Sequence, residues 1–124
     1  MDRNQLGNLG ERIAENFLRR KGYEILGKNY SPKFVSGPQR GEVDIIAKSN
    51  DIISFVEVKT LLLQDSFLPE DKVDFQKQRK IVKTAESWLM QNKIPFDSPW
   101  QIDIISIKID LNGKKANIRH FKNA

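Results

Sequence analysis

The sequence predicts one α/β domain with a mixed sheet. Three observations carry that prediction. Two long segments have apolar residues at helical spacing, with strand-like runs between and after them. Two of those runs are joined by the turn sequence Ser49-Asn50-Asp51. The last two flank Asn112-Gly113. Hairpin neighbours pair antiparallel, whereas a strand reached through a helical crossover comes back parallel, so both kinds of pairing are expected in one sheet. A chain of 124 residues has the usual length of a single domain, here 1–124, and can bury a core without disulfides.

Residues 5–21, QLGNLGERIAENFLRRK, place Leu6, Leu9, Ile13, Phe17 and Leu18 on one helical stripe. Gly22 suits the position that ends such a helix. YEIL (23–26) reads as a first strand, and SPKFVSGPQR (31–40), with its prolines and glycine, as a loop. Residues 42–47 and 52–60 are rich in Val, Ile and Phe and read as strands. Residues 61–71 form a connection containing Pro69. A second helix over roughly 72–92 follows, with the stripe Val73, Ile81, Ala85, Trp88 and Leu89. After Pro95 and Pro99, QIDIISIKI (101–109) reads as a strand, Asn112-Gly113 as a two-residue hairpin turn, and KANIRHF (115–121) as the returning strand.

There is no cysteine, so disulfides and thiolate zinc sites are excluded. No apolar run follows Met1, and none approaches the ~20 residues that span a bilayer. A cytoplasmic protein without a membrane partner is the expectation. Lys and Arg number 21 against 16 Asp and Glu, a formal charge of +5. That excess suits a polyanion, nucleic acid first, and serves equally as ordinary solubility charge.

Within GEVDIIAKSNDIISFVEVKT (41–60), Glu42, Asp44, Glu57 and Lys59 interrupt strands that otherwise read as core. Alternation puts Glu42, Asp44 and Ile46 on one face, and Phe55, Glu57 and Lys59 on one face of the next strand, opposite Val56 and Val58. A paired hairpin then sets Asp44 beside Glu57. One reading is a solvated sheet face. Against it, Asp is depleted in strands, and Val43, Ile45 and Ile46 crowd Asp44, where a charge is costly unless paired or metal-bound. The other reading is a metal site. Two carboxylates and a backbone carbonyl, that of Val58, bind Mg²⁺ (or Mn²⁺) and leave positions for water and phosphate oxygens. The ion stabilises charge on the phosphate and acidifies water, while Lys59 orients or deprotonates the attacking water.

Asp44 followed by Glu57-Val58-Lys59 resembles the signature of the PD-(D/E)xK, restriction-endonuclease-like nucleases, with Val43 in place of the motif's proline. LGERIAENFLRRKGYEIL, RGEVDIIA, FVEVKT and QIDIISI are similar to the YraN-type family of uncharacterised bacterial proteins, over about Leu6 to Ile107. The resemblance implies an α/β fold with a restriction-endonuclease-like core, order αβββαβ plus a C-terminal hairpin strand, its mixed sheet flanked by helices. It implies a Mg-dependent endonuclease acting on DNA, including branched DNA in recombination or repair. The alternative is a non-catalytic nucleic-acid-binding protein with the same fold. Holliday junction resolvases of this superfamily use a helix glutamate near the metal, and Glu11 is the matching position here; a solvated helix glutamate is the alternative. Lys77, or Gln76 beside it, matches the position where related nucleases place a Lys or Gln, and a snorkelling lysine is the other reading. Arg79, Lys80 and Lys83 read as an exposed face usable for phosphates, with Arg40 on the loop. Asp103 lies in a strand expected beside or under the site. His120 reads as a surface residue, Trp88 as core, and Trp100 as either. LLLQDSFL (61–68) has more apolar groups than one face can bury, so it is expected either to join a homodimer or to fold back over the second helix.

Overall fold

Asp2 starts the first helix. Its carboxylate accepts from Gln5 N at 2.8 Å, and the Gln5 side chain accepts from Asp2 N at 3.0 Å. This reciprocal cap satisfies two backbone donors that the helix leaves free. Helix α1 therefore runs Arg3–Arg20, starting ahead of the predicted residue 5. At its other end Gly22 N bonds Arg19 O and Tyr23 N bonds Leu18 O. Gly22 has φ 92°, the left-handed conformation expected where a glycine closes a helix in this way.

The computed structural model describes residues 1–32, 41–63 and 75–124. After α1 come β1 (Glu24–Tyr30), β2 (Val43–Ser49), β3 (Ile52–Leu62), α2 (Phe75–Gln91), β4 (Trp100–Asp110) and β5 (Lys115–Phe121). The strands form one sheet in sequence order, antiparallel except for the parallel pair β3–β4. The mixed α/β architecture expected from the hairpins and the crossover is what forms. Among the described residues, no helix is long and apolar enough to cross a membrane.

The helices cover opposite faces. On one, Ala14 and Leu18 of α1 pack with Ile45, Ala47, Val56, Ile105 and Ile107. On the other, Ile81, Ala85, Trp88 and Leu89 of α2 pack with Val43, Ile46, Ile53 and Phe55. Phe55 meets Trp88 and Trp100 edge to face at 5.8 and 5.7 Å, so Trp100 joins this layer while staying half-buried. The buried line of α1 is Gly10, Ala14 and Leu18. Leu6, Leu9, Ile13 and Phe17 pack around it, partly buried.

Gly10 is where α1 touches β3. A methyl group there would overlap the Thr60 hydroxyl and approach Thr60 Cβ to 2.9 Å. Gly10→Ala is expected to destabilise the fold by about 1–3 kcal/mol through overpacking, more than the ~1 kcal/mol that helix propensity returns. Thr60→Ala in the same chain should recover part of the loss in thermal melts. Simple additivity of the two changes would place the cause elsewhere.

Several boundaries differ from expectation. β1 continues to Tyr30 because an irregularity between Ile25 and Gly27 lets the strand resume pairing through its polar second half. Asn50 and Asp51, at φ 52° and 63°, form a two-residue turn between the pair Ser49↔Ile52. The Asn112-Gly113 turn is longer than predicted: the last pair is Asp110↔Lys115. Asp110 Oδ1 accepts from Asn112 N and Gly113 N, each at 3.1 Å, and Lys114 takes the left-handed conformation. Of the apolar run at 61–68, Leu61 is buried, Leu62 half-buried and Leu63 exposed. Residues 64–68, and Val73 of the predicted stripe, lie outside the described residues.

Candidate active site

Pairing between β2 and β3 runs from Ser49↔Ile52 to Ile45↔Val56 and ends there, although β3 continues to Leu62. Strict alternation lapses at the same place. Val43 and Ile46 belong to the α2 layer, Ile45 and Ala47 to the α1 layer. Asp44 and Glu57 are therefore not a ladder pair, and Glu42 precedes the strand rather than sharing its face. Asp44 reaches β3 by another route: its Oδ2 accepts from Val58 N at 2.8 Å. The carboxylate thus satisfies a backbone donor beyond the end of the β2 ladder, and it sits close enough to Glu57 for the two charges to repel.

A cleft of about 700 Å³ opens here, between the start of α1 and the far half of β3. Glu11, Asp44, Glu57, Val58 and Lys59 all line it. Lys59 Nζ lies 2.9 Å from Glu57 Oε1, and both side chains are largely buried, at 14% and 7% exposure. Asn29 adds a contact that the sequence does not signal. With its amide nitrogen turned inward, it donates to Glu11 Oε1 at 2.6 Å and lies 3.3 Å from Glu42 Oε1. Its backbone is left-handed, φ 51°, a conformation Asn tolerates better than other non-glycine residues. Asn29 thus gathers two carboxylates from different elements, and only its residue type could have hinted at that role.

The electrostatics follow. Burial, then the neighbouring Glu57 charge, push the Asp44 carboxyl up to about 7. Glu11 and Glu42 push the same way, and the Val58 N–H opposes them. Glu11 is also raised, by burial first and then by Glu42 and Glu57, against the pull of Lys28. Glu15, one turn along, is lowered by hydrogen bonds from Lys28 and Arg19, both at 3.0 Å. The cleft therefore gathers carboxylates whose mutual repulsion is offset only in part, by Lys59 on Glu57 and by Lys28 near Glu11.

Arg79, Lys80 and Lys83 are exposed on α2. Gly41 lets the chain enter β2 tight against that helix: a methyl there would overlap the Thr84 hydroxyl and come within 2.9 Å of Lys80 O. The basic turn of α2 is thereby set next to the segment that delivers Asp44. Arg40 lies outside the described residues, as do the side chains of Gln76 and Lys77.

His120 corrects its expected surface placement. Its side chain is only 9% exposed, and Nε2 lies 2.8 Å from Oδ2 of Asp103, which is fully buried. Asp103 Oδ1 accepts from Gln101 Nε2 and Asn123 N, each at 2.9 Å. Burial alone would raise this carboxyl, but the bonds from His120, Asn123 and Gln101 outweigh it and hold it low. Asp103 stands on the strand beside β3, opposite Val56 in register, yet its side chain serves β5 and not the cleft.

Comparison with known proteins now fixes the family. The family described as "Uncharacterised protein family UPF0102" matches residues 10–107. The chain belongs to this family. It is 38% identical to a UPF0102 protein of Alkaliphilus oremlandii, over 97% of each chain. It is 36% identical to one from Dictyoglomus turgidum, over 100% of this chain and 99% of the relative, and 39% identical to one from Clostridium tetani, over 97% and 93%. The matched UPF0102 region takes in Glu11, Asp44, Glu57, Lys59 and Asp103, and ends before His120.

Proposed function

We propose that this chain is a Mg²⁺- or Mn²⁺-dependent DNA endonuclease with a restriction-endonuclease-like core extended by β5. The observation that most supports this reading is the electrostatic frustration of the cleft. Asp44 is held near 7 by burial and by carboxylates converging from β3, α1 and the segment before β2. A divalent cation removes the repulsion that raises them, and all the donors are hard oxygens, which suit Mg²⁺ or Mn²⁺. Among the described residues, no three acidic or imidazole side chains group closely enough to hold a metal by themselves. Asp44 and Glu57 would hold it with the Val58 carbonyl. The ion would supply charge neutralisation at the phosphate and acidified water.

The protein's own residues have separable roles. The Val58 N–H fixes the Asp44 carboxylate. Lys59 neutralises Glu57 and offers an ammonium to phosphate or to the attacking water. Glu11, positioned by Asn29, is placed to orient water at the edge of the cleft. The exposed cations of α2 would guide the DNA backbone past this mouth. A screen of the full-length chain with Mg²⁺ or Mn²⁺ over four-way junctions, flaps, nicked and plain duplexes tests the reading; no cleavage of any of them would leave the binding protein without turnover. That alternative is favoured by one observation, the Lys59 ammonium already seated on Glu57.

Both readings predict salt-sensitive DNA binding. Each phosphate contact contributes roughly −0.9 to the slope of log K against log salt on duplex DNA. Reversing charge at Lys80 and Lys83 is expected to flatten that slope by about two units if both touch phosphate. An unchanged slope would move the DNA path to another face.

A further inference from the structure

A second cavity, of about 500 Å³, lies at the opposite end of α1 from the acidic cleft, lined by residues that include Phe17, Lys21, Tyr23, Ser54, His120 and Lys122. Among the described residues, it shares none with the cleft. Three features mark it as built to take a ligand. Ser54 is 1% exposed, and among the described residues its hydroxyl has no hydrogen-bond partner. Buried hydroxyls without partners are rare and costly. His120 is fixed through Nε2 by Asp103, whose carboxylate is itself locked by Gln101 and Asn123. Its Nδ1 has no partner among the described residues. Such a carboxylate-backed imidazole is pre-oriented, and preorganisation lowers the entropic cost of binding.

The charge and shape of the cavity select the ligand. Among the described residues that line it, the charged groups are Lys21 and Lys122, beside the His120 imidazole, and none is acidic. Phe17 and Tyr23 flank His120, with ring centroids 6.0 and 6.1 Å away. Cations suit a phosphate, aromatic walls suit a planar base, and unpaired Ser54 and His120 atoms suit the polar edges between them. We propose that this cavity binds a nucleoside monophosphate, either as a free nucleotide or as the phosphorylated end of a DNA strand. It goes beyond the cleavage reading and stands whether or not the cleft cuts DNA.

The chain has a single histidine, so its imidazole proton resonances report on this cavity alone. The full chain, in EDTA to exclude cleavage, is titrated with dAMP, with deoxyadenosine, and with a short single strand bearing a 5′-phosphate or a 5′-hydroxyl. Saturable movement of the imidazole resonances with dAMP, absent with deoxyadenosine, is the expected result. Movement only with the 5′-phosphorylated strand supports the same site with a strand end as its source. Lys21→Gln with Lys122→Gln, both exposed positions, should weaken binding about tenfold or more, given the strength of hydrogen bonds to charged groups, with unchanged circular dichroism. Static imidazole resonances at millimolar concentrations of every probe, or equal shifts with and without phosphate, would overturn the proposal.

Discussion

Asp44→Asn and Glu57→Gln are each expected to reduce metal-dependent cleavage by about 10³-fold or more. A metal ion contributes several kcal/mol of charge stabilisation, and each 1.36 kcal/mol is tenfold in rate. Both substitutions keep the volume of the side chain and remove one negative charge. Asn at position 44 can still accept the Val58 N–H bond that Asp44 Oδ2 accepts at 2.8 Å, so the fold should survive and circular dichroism should not change. Glu11→Gln should cost less, about 10- to 100-fold, as is usual for groups that act through the ligands of a site. Asn29→Ala should reproduce the Glu11 effect, since the amide donates to Glu11 Oε1 at 2.6 Å. Manganese binding followed calorimetrically provides a readout independent of turnover and should weaken in the Asp44 and Glu57 variants. Cleavage at the parental rate in both variants would remove these residues from the site.

Much of this arrangement is legible in the sequence because it rests on local patterns. Ile81, Ala85, Trp88 and Leu89 recur at helical spacing and form the buried face of α2. Asp44 stands out because an acid among Val43, Ile45 and Ile46 breaks a strand pattern that would otherwise be core. The misses have a common physical cause, contacts between residues distant in sequence. His120 looks solitary in KANIRHF, yet its partner Asp103 lies 17 residues away across the β4–β5 ladder. Asn29 gathers Glu11 and Glu42 from two other elements. The site's backbone geometry is equally hidden: the β2–β3 ladder ends at Ile45↔Val56, and strict alternation carried past that point puts Asp44 on the wrong face. Turn chemistry misleads in a different way. Asn112-Gly113 has the residues of a tight hairpin, but Asp110 captures both amides and lengthens the loop. Asn50-Asp51, less suggestive as a dipeptide, makes the two-residue turn.

Asp44→Asn is also expected to stabilise the metal-free protein, by about 1–3 kcal/mol at pH 8, the size usual for a single substitution acting by a definite mechanism. The Asp44 carboxyl is raised from 3.8 to about 7 in the folded chain. In the unfolded chain it is expected near its ordinary value. Between about pH 4 and pH 7 the folded state therefore holds the extra proton, and stability falls as pH rises through that window. Above pH 7 the carboxylate is ionised in both states and the full penalty applies. Below pH 4 it is protonated in both, and the stability that protonation provides is fully present. Each tenfold difference in proton affinity between the two states corresponds to about 1.4 kcal/mol; relaxation of the cluster and protonation of Glu11 reduce what is realised. Asn carries no charge at any pH, so the Asp44→Asn gain should be large at pH 8 and nearly absent at pH 4. Divalent metal should reverse the order. If the proposed site holds Mg²⁺ or Mn²⁺, the ion should raise the melting temperature of the parent by mass action, while the variant should respond weakly. Melting curves at pH 4, 6 and 8, with EDTA and with millimolar Mn²⁺, read all of these at once. An Asp44→Asn protein less stable than the parent at pH 8 in EDTA would show that Asp44 is an ordinary hydrogen-bonding strand residue. Functional sites commonly trade stability for chemistry, and here the trade should appear as a metal-dependent crossing of the two melting curves.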